Sequence, residues 1–275
     1  NTSVGACALY ANTTGDRNTA GGFRTLKSNT TGCRNTAWGY AVLAANTTGC
    51  HNTGSGYNAL TSNTTAHNST ANGYLALFSA TTGGWNTASG YLAGTAITTG
   101  CANTASGTES LRSNTTGCRN TASGSVSLYK NTTGNENTAV GFQALKCNST
   151  GSYSTAVGSQ ALAANTTGNN QAFGTFTLKT NTTGTLNNGF GYAVLEENTT
   201  GDHNTAMGHA ALNKNTTGCR NNGFGYQALC GTTTGKFNVG VGRSSGGNIT
   251  TGSCNTVIGT DAETSAAGAV NQIVI

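Results

Sequence analysis

The chain has 275 residues, a net charge of +5, only 8% charged residues, 41 glycines and no proline. The weak, dispersed charge without a Lys/Arg cluster argues against a nucleic-acid partner, and no apolar run approaches the roughly 20 residues that span a bilayer. A hydrophobic fraction of 35%, much of it alanine, is too low for a thick globular core but is compatible with a thin core shared along an axis.

One 17-residue unit, N-T-T-G-x-x-N-T-A-x-G-x-x-A-L-x-x, runs along the whole chain. The chain opens inside a unit, because residues 1–5 match unit positions 7 to 11, and complete units follow from Asn12. One residue is missing between the units that begin at Asn165 and Asn181, after which the interval of 17 resumes. A register kept over so many copies predicts that each unit is one turn of a repeat structure.

Glycine at positions 4 and 11 and threonine at positions 2, 3 and 8 disfavour a helix in each unit. N-T-A-x-G predicts one strand, x-A-L predicts a second, and NTTG predicts a turn or a short third side. Glycine and asparagine suit the corners because they tolerate positive φ. We therefore predict an all-β fold, a parallel β-solenoid (β-roll) of about sixteen turns and roughly 75 Å length, given about 4.8 Å per turn. Residues 1–265 are expected to form this rod, and residues 266–275 a terminal cap or the start of a following module.

Stacked turns place equivalent residues above one another in columns. Positions 1 and 7 are predicted to form two asparagine columns whose side chains hydrogen-bond along the stack, and position 15 a leucine column. Position 10 changes from serine in the first half to larger apolar residues later, which indicates either a drier core or a change in contact between chains. Position 12 is largely aromatic, and we predict a ladder of Phe23, Tyr40, Tyr57, Tyr74, Tyr91, Phe142, Tyr192 and Tyr226.

The units N-T-A-V-G-F-Q-A-L (residues 137–145) and N-T-A-M-G-H-A-A-L (residues 204–212) resemble repeats of phage tail fibres and of bacterial tail-fibre-domain surface proteins. The N-x-A-x-G core is more distantly similar to the head repeats of trimeric autotransporter adhesins. The resemblance covers nearly the whole chain and implies a fibre scaffold. The similarity to the adhesins implies a trimer.

Five of the nine cysteines occupy position 5. Cys33 with Cys50, and Cys101 with Cys118, lie on consecutive turns, and a spacing of about 4.8 Å suits a disulfide, so we predict both as bridges between turns. The alternative is that cysteine is a tolerated small residue at a turn. The other five cysteines lack a partner at matching height and are expected to be free or to bond another chain. No C-x-x-C motif suggests zinc.

The N-T-T segments are also N-glycosylation sequons, and a row of glycans would follow from them in a eukaryotic secreted protein. In a bacterial or phage protein we expect the sequons to be incidental. The candidates are Asn12, Asn29, Asn46, Asn63, Asn114, Asn131, Asn148, Asn165, Asn181, Asn198 and Asn215.

Catalysis has little support, because the four histidines and eight acidic residues form no repeated constellation. We expect no metal, no cofactor and no enzyme activity. The expected role is a structural segment of an extracellular, cell-surface or virion fibre that assembles with copies of itself, as a trimer or an end-to-end filament. Surface glycans are a further candidate partner. A glycosylated filament subunit is one alternative. Another is an ice- or carbohydrate-binding solenoid, which would use the Thr pairs at positions 2 and 3 or the aromatic column.

Overall fold

The computed structural model describes residues 1–275 and confirms the predicted fold class: it is a parallel β-solenoid of about sixteen turns, built from seventeen short strands. The chain divides into two compact segments, Asn1–Asn137 and Thr138–Ile275. The structure contains no helix that is long and apolar enough to cross a membrane.

The first segment holds eight strands, one in each turn. These are β1 (Thr2–Val4), β2 (Thr19–Gly21), β3 (Thr36–Tyr40), β4 (Thr53–Tyr57), β5 (Thr70–Asn72), β6 (Thr87–Ser89), β7 (Thr104–Ser106) and β8 (Thr121–Ser123). Within this segment consecutive strands pair in parallel at a register of one repeat, as in Thr36 opposite Thr53. The strand therefore covers unit positions 8 to 10, as the N-T-A-x-G motif predicts.

The second segment holds nine strands. These are β9 (Thr138–Val140), β10 (Thr155–Val157), β11 (Gln171–Phe173), β12 (Asn188–Phe190), β13 (Thr205–Met207), β14 (Asn222–Phe224), β15 (Val239–Val241), β16 (Thr256–Ile258) and β17 (Ile273–Val274). They pair in parallel in sequence order, with Thr155 opposite Gln171 across the short repeat. There Thr167 takes the place of the position-4 glycine, because its carbonyl accepts the Asn165 Nδ2 hydrogen bond that this glycine accepts elsewhere. Gly168 then takes position 5, against Ser152 of the preceding turn.

Residues 266–275 keep the register of the stack. Val270 bridges to Ser253, β17 pairs with β16, and the backbone N–H of Gln272 donates to Oδ1 of Asn255 at 3.0 Å. Gln272 thus occupies position 7 of a further turn. The register therefore continues past residue 265, and the terminal cap or following module suggested for residues 266–275 stays a prediction.

The core of each turn is thin. Leucine at position 15, small residues at positions 9 and 14, and asparagine at positions 1 and 7 point inward, and Leu43, Ala37 and Asn46 have no exposed surface. The predicted leucine column is confirmed as the apolar centre of the stack. A single chain buries it completely, so the thin turn does not need a second chain to cover its leucine.

The predicted second strand around x-A-L is wrong. Residues at positions 13 and 15 adopt the left-handed conformation, as in Ala41 (φ 51°) and Leu43 (φ 52°), and the segment forms turns. Position 6 does the same, as in Arg34 (φ 56°). These bends still bond to neighbouring turns, since the Leu43 N–H donates to the Ala59 carbonyl at 3.1 Å and the Arg34 N–H to the Asp16 carbonyl at 3.0 Å. Side chains that disfavour positive φ therefore occupy these three corners in most turns.

Glycine is required for two different reasons. Gly39 at position 11 has a φ of 129°, which side-chain-bearing residues rarely adopt. Gly32 at position 4 has ordinary φ, but an added Cβ would overlap Oδ1 of Asn29 and the carbonyl of Gly49. The glycine of NTTG thus permits close approach of neighbouring turns, and the expectation of positive φ there is wrong.

Two turns carry the same paired exception to the consensus. Gly94 and Gly246 replace the position-15 leucine, and Ile97 and Ile249 replace the asparagine three residues later. A Cβ on Gly94 would lie 3.0 Å from Cδ1 of Ile97, and one on Gly246 would lie 3.1 Å from Cδ1 of Ile249. Both isoleucines are fully buried, so each fills the space that leucine fills elsewhere.

Val126 provides a test of the corner conformation, because it is a β-branched residue at φ 62°. Left-handed backbone costs roughly 1–2 kcal/mol for ordinary residues, and less for asparagine. We expect Val126→Asn to raise the free energy of unfolding by about 1 kcal/mol, measured by chemical denaturation. The matched control is Val140→Asn in the strand β9, which should give no gain. Equal gains in both variants would contradict the explanation.

Candidate functional site

The asparagines at position 1 form a buried hydrogen-bonded column. Nδ2 of Asn46 donates to Oδ1 of Asn29 at 2.7 Å and to the carbonyl of Gly49 at 3.0 Å. Nδ2 of Asn63 repeats this one turn on, donating to Oδ1 of Asn46 at 2.6 Å. The predicted ladder along the stack is confirmed here, and it uses both hydrogens of each carboxamide.

Position 7 forms a second buried column with a different pattern. The backbone N–H of Asn35 donates to Oδ1 of Asn18 at 2.9 Å, and Nδ2 of Asn35 donates to the carbonyl of Gly49 at 2.8 Å. The Gly49 carbonyl therefore receives hydrogen bonds from Asn35 and Asn46, one on each of two neighbouring turns. Both columns clamp the same corner of the solenoid.

This placement contradicts the glycosylation hypothesis for the sequon asparagines. Nδ2, the atom that would carry the glycan, donates its hydrogens inside the stack, and all candidates except half-buried Asn12 are fully buried. A glycan would remove a donor and would have no space beside the next turn. The buried candidates are Asn29, Asn46, Asn63, Asn114, Asn131, Asn148, Asn165, Asn181, Asn198 and Asn215.

The structure brings together both cysteine pairs that the sequence singles out. Sγ of Cys33 lies 3.1 Å from Sγ of Cys50, and Sγ of Cys101 lies 2.8 Å from Sγ of Cys118, with all four present as thiols. Within each pair the hydrogen bond to the partner is the main cause that raises the pKa of Cys33 and of Cys101, with desolvation second. In each pair the two thiols are in contact, and the two disulfides remain predictions.

We expect oxidised glutathione to convert each pair to a disulfide, with two electrons and the two thiol protons passing to the oxidant, which becomes two glutathione molecules. Because the raised pKa lowers the thiolate fraction of Cys33 and Cys101, oxidation should be faster at alkaline than at neutral pH. Each bridge should add about 3 kcal/mol to the free energy of unfolding. Peptide mapping by mass spectrometry checks the pairing. Cys219 has no cysteine neighbour, so the control variant Cys219→Ser should change neither the pairing nor the gain in stability. Folded protein whose two cysteine pairs stay reduced would contradict the prediction.

Position 5 has a structural role that the sequence reading missed. Its side chain accepts a hydrogen bond from the backbone N–H of position 5 on the preceding turn. Sγ of Cys50 accepts from Cys33 at 3.1 Å, and Nδ1 of His67 accepts from Cys50 at 2.9 Å. Oδ1 of Asp202 does the same for Thr185 at 2.7 Å. The recurrence of acceptors at this position is the signal that could have revealed it.

The aromatic side chains of position 12 are half-exposed and do form a ladder where they are consecutive. The rings from Phe23 to Tyr91 stack with centroids 5.0 to 5.3 Å apart and interplanar angles of 10° to 28°. In the second segment His209 stacks between Tyr192 and Tyr226, whereas Phe142 has a serine on one side at Ser159. Because the rings cover one another's faces, mainly their edges meet solvent.

Position 10 points to solvent wherever it carries a side chain, so the expectation of a drier core is wrong. The strand alternates, and position 9 points inward while positions 8 and 10 point outward. In the second segment this gives one large apolar side chain per turn, 36% to 50% exposed where values are given. The column consists of Val140, Val157, Phe173, Phe190, Met207, Phe224, Val241 and Ile258.

The threonine pairs of NTTG do not form one flat array. At position 2, Oγ1 of Thr30 donates to the Thr47 carbonyl on the next turn at 3.0 Å, and the side chain is half-buried. At position 3, Thr31 is exposed. A regular outward threonine column lies instead at position 8 of the strands, as in Thr36 and Thr53.

The four arginines of position 6 are exposed but do not make a continuous basic stripe. Arg34 contacts His51 at 3.0 Å, Arg119 pairs with Glu136 at 3.1 Å, and Arg220 lies over the Phe237 ring at 5.3 Å. Arg17 lies 3.8 Å from its neighbour Asp16. No group of three or more His, Cys, Asp or Glu side chains is placed to hold a metal ion.

No family model, no curated protein and no solved structure matches this chain. The candidate surfaces therefore rest on the geometry of the columns alone. The two that stand out are the stacked aromatic ladder of the first segment and the apolar position-10 column of the second.

Proposed function

We propose that this chain is a structural segment of an extracellular, cell-surface or virion fibre, without catalytic activity, that supplies length and stiffness. The observation that carries the proposal is that every side of a turn is bonded to the next turn. In one turn the N–H groups of Thr30, Leu26 and Ser28 all donate to the following turn at 2.9 to 3.0 Å, outside the strand pairing.

The buried asparagine columns support the same role. Bending such a stack would stretch hydrogen bonds along one side, and buried carboxamides have no water to replace them. Nδ2 of Asn198, for example, lies 2.6 Å from Oδ1 of Asn181 and 3.0 Å from the Gly201 carbonyl. A stack held in this way resists bending and local unfolding, which suits a load-bearing segment.

Two measurements test the proposal. Negative-stain electron microscopy of the purified chain should show stiff, narrow particles of uniform length, and compact or flexible particles would contradict it. Immunogold labelling of intact cells or virions of the source should decorate fibres, and a signal that appears only after permeabilisation would refute the location.

Assembly with copies of itself belongs to the proposal, as a trimer or an end-to-end filament. The thin core of each turn gives no reason for a trimer, because one chain buries its leucine column completely. A glycosylated filament subunit is disfavoured by the buried sequon nitrogens. Sugar binding by the ladder is disfavoured because sugars stack on ring faces, which neighbouring rings already cover.

Ice binding is a second candidate, favoured by one observation. The outward face of β2–β8 carries threonine at every position 8, an unbroken and regularly spaced column of hydroxyl and methyl groups. The column comprises Thr19, Thr36, Thr53, Thr70, Thr87, Thr104 and Thr121. Thermal hysteresis at micromolar protein, abolished by Thr87→Lys, is the expected result. No hysteresis in the wild type would remove this candidate.

A further inference from the structure

We infer that the position-10 column of the second segment is a self-association face, on which a second copy of this chain packs side by side to form a two-fold symmetric dimer. The column is the outward apolar row from Val140 to Ile258 described above. This inference rests on the proposed function and deepens it, because it names a lateral contact between two copies that replaces the trimer and leaves the ends of the stack available for end-to-end assembly.

The first argument is the contrast between the two segments. After Trp38, position 10 carries small polar residues over five consecutive turns of the first segment, namely Ser55, Asn72, Ser89, Ser106 and Ser123. The same outward position in the second segment carries valine, phenylalanine, methionine and isoleucine on consecutive turns. The fold does not require these side chains, because the serines occupy the same place. Contiguous exposed apolar rows of this kind mark interaction surfaces.

The second argument identifies the partner by the spacing of the side chains along the column. The column presents one side chain about every 4.8 Å, and its seven steps give a straight row about 34 Å long. Only a surface with the same spacing can interdigitate with it over the full length. A second copy of this chain has that spacing by construction.

Charge also permits the pairing. The other outward row on these strands, at position 8, carries no charged residue, so two copies do not place like charges together despite the net charge of +5. The row consists of Thr138, Thr155, Gln171, Asn188, Thr205, Asn222, Val239 and Thr256.

The contact area of the column determines how tightly two copies can bind. A row about 34 Å long and about 12 Å wide gives about 400 Å² for each copy, half of the roughly 800 Å² per partner in a standard interface. The dimer is therefore weak and appears at high protein concentration. A two-fold interface uses the same patch on both copies and stops at two chains.

The test is sedimentation velocity of the full chain across a concentration series, comparing wild type with the triple variant Phe190→Ser, Met207→Ser, Phe224→Ser. Position 10 carries serine in four turns of the first segment, so the variant should fold, which circular dichroism and thermal melting check. The matched control, Tyr40→Ser, Tyr57→Ser, Tyr74→Ser, removes equally exposed rings from the other column.

We expect wild type and control to shift from 27.5 kDa to twice that mass as concentration rises, and the position-10 variant to stay monomeric. A wild type that remains monomeric at millimolar concentration overturns the inference. So does a trimer, or a dimer that persists in the position-10 variant. Stiff monomeric particles in the microscope would leave the structural role standing while refuting the dimer, and compact particles would refute the structural role whatever the mass.

Discussion

Gly94→Leu alone should destabilise the solenoid by about 2 kcal/mol and Ile97→Asn alone by about 4 kcal/mol, whereas the double variant should recover most of both losses. The first variant forces a leucine against Cδ1 of Ile97 and Cδ2 of Leu77, each 3.0 Å from the new Cβ. The second empties the space beside Gly94 and buries a carboxamide next to it. Together they restore the consensus pair of the other turns.

The double variant also extends the asparagine column by one turn, from Asn114 toward Ala80. Nδ2 of Asn114 donates to the Gly117 carbonyl at 2.9 Å, and the preceding turn offers it Ile97 instead of an asparagine oxygen. The introduced asparagine would supply that oxygen and would itself face the Gly100 carbonyl. The four proteins form a double-mutant cycle measured by chemical denaturation, with an expected coupling of about 3 kcal/mol. The pair Gly246 and Ile249 gives an independent repeat, and additive losses in both cycles would contradict the compensation.

Asn198→Asp should cost about 4 kcal/mol, because it removes two buried hydrogen-bond donors and places a carboxylate beside Oδ1 of Asn181. Asn215 continues to donate to this side chain, so the oxygen acceptor is preserved and the change isolates the lost donors. The control is Asn68→Asp at position 6, which is exposed and should change stability by less than about 0.5 kcal/mol.

The Asn198→Asp deficit should depend on pH with a defined sign. Burial without a cation raises the folded-state pKa of the introduced carboxyl above its unfolded value of about 3.9. The unfolded state therefore releases its proton first as pH rises, and the deficit is largest above the folded pKa and shrinks as pH falls through it. Denaturation curves of variant and wild type between neutral and acid pH measure this, and a deficit independent of pH would refute it.

The sequence carries the register of this fold almost completely. An interval of 17 residues puts equivalent residues side by side in parallel strands, and the inward leucine and asparagine columns follow from that stacking. The motif N-T-A-x-G also marks the strand itself, because its alanine must point inward. These features follow from the 17-residue interval, which can be read directly from the sequence.

The corners could not be predicted, because period does not determine which way a side chain points at a bend. Leu43 and Ala41 adopt positive φ although neither residue type favours it, so composition gives no signal there. The same limit explains why position 10 looked like core. Its apolar residues in the second segment resemble buried ones, and only the alternation of a three-residue strand turns them outward.

The sequons show a related limit. The motif N-T-T matches the N-glycosylation sequon, whereas in the structure its asparagine is buried and donates a hydrogen bond to a glycine carbonyl. The acceptor role of position 5 was hidden because cysteine, histidine, asparagine and aspartate share little except a lone pair. Both roles become visible only when two turns are placed against each other.

Hydrogen exchange of the asparagine side-chain amides, followed by NMR in D₂O, tests the central claim most directly: buried carboxamides of one chain hold neighbouring turns together. We expect the Nδ2 protons at positions 1 and 7, such as those of Asn46 and Asn35, to remain protected for as long as the core backbone amides. Those of exposed Asn68 should exchange at once. Equal, rapid exchange at all three residues would contradict the claim.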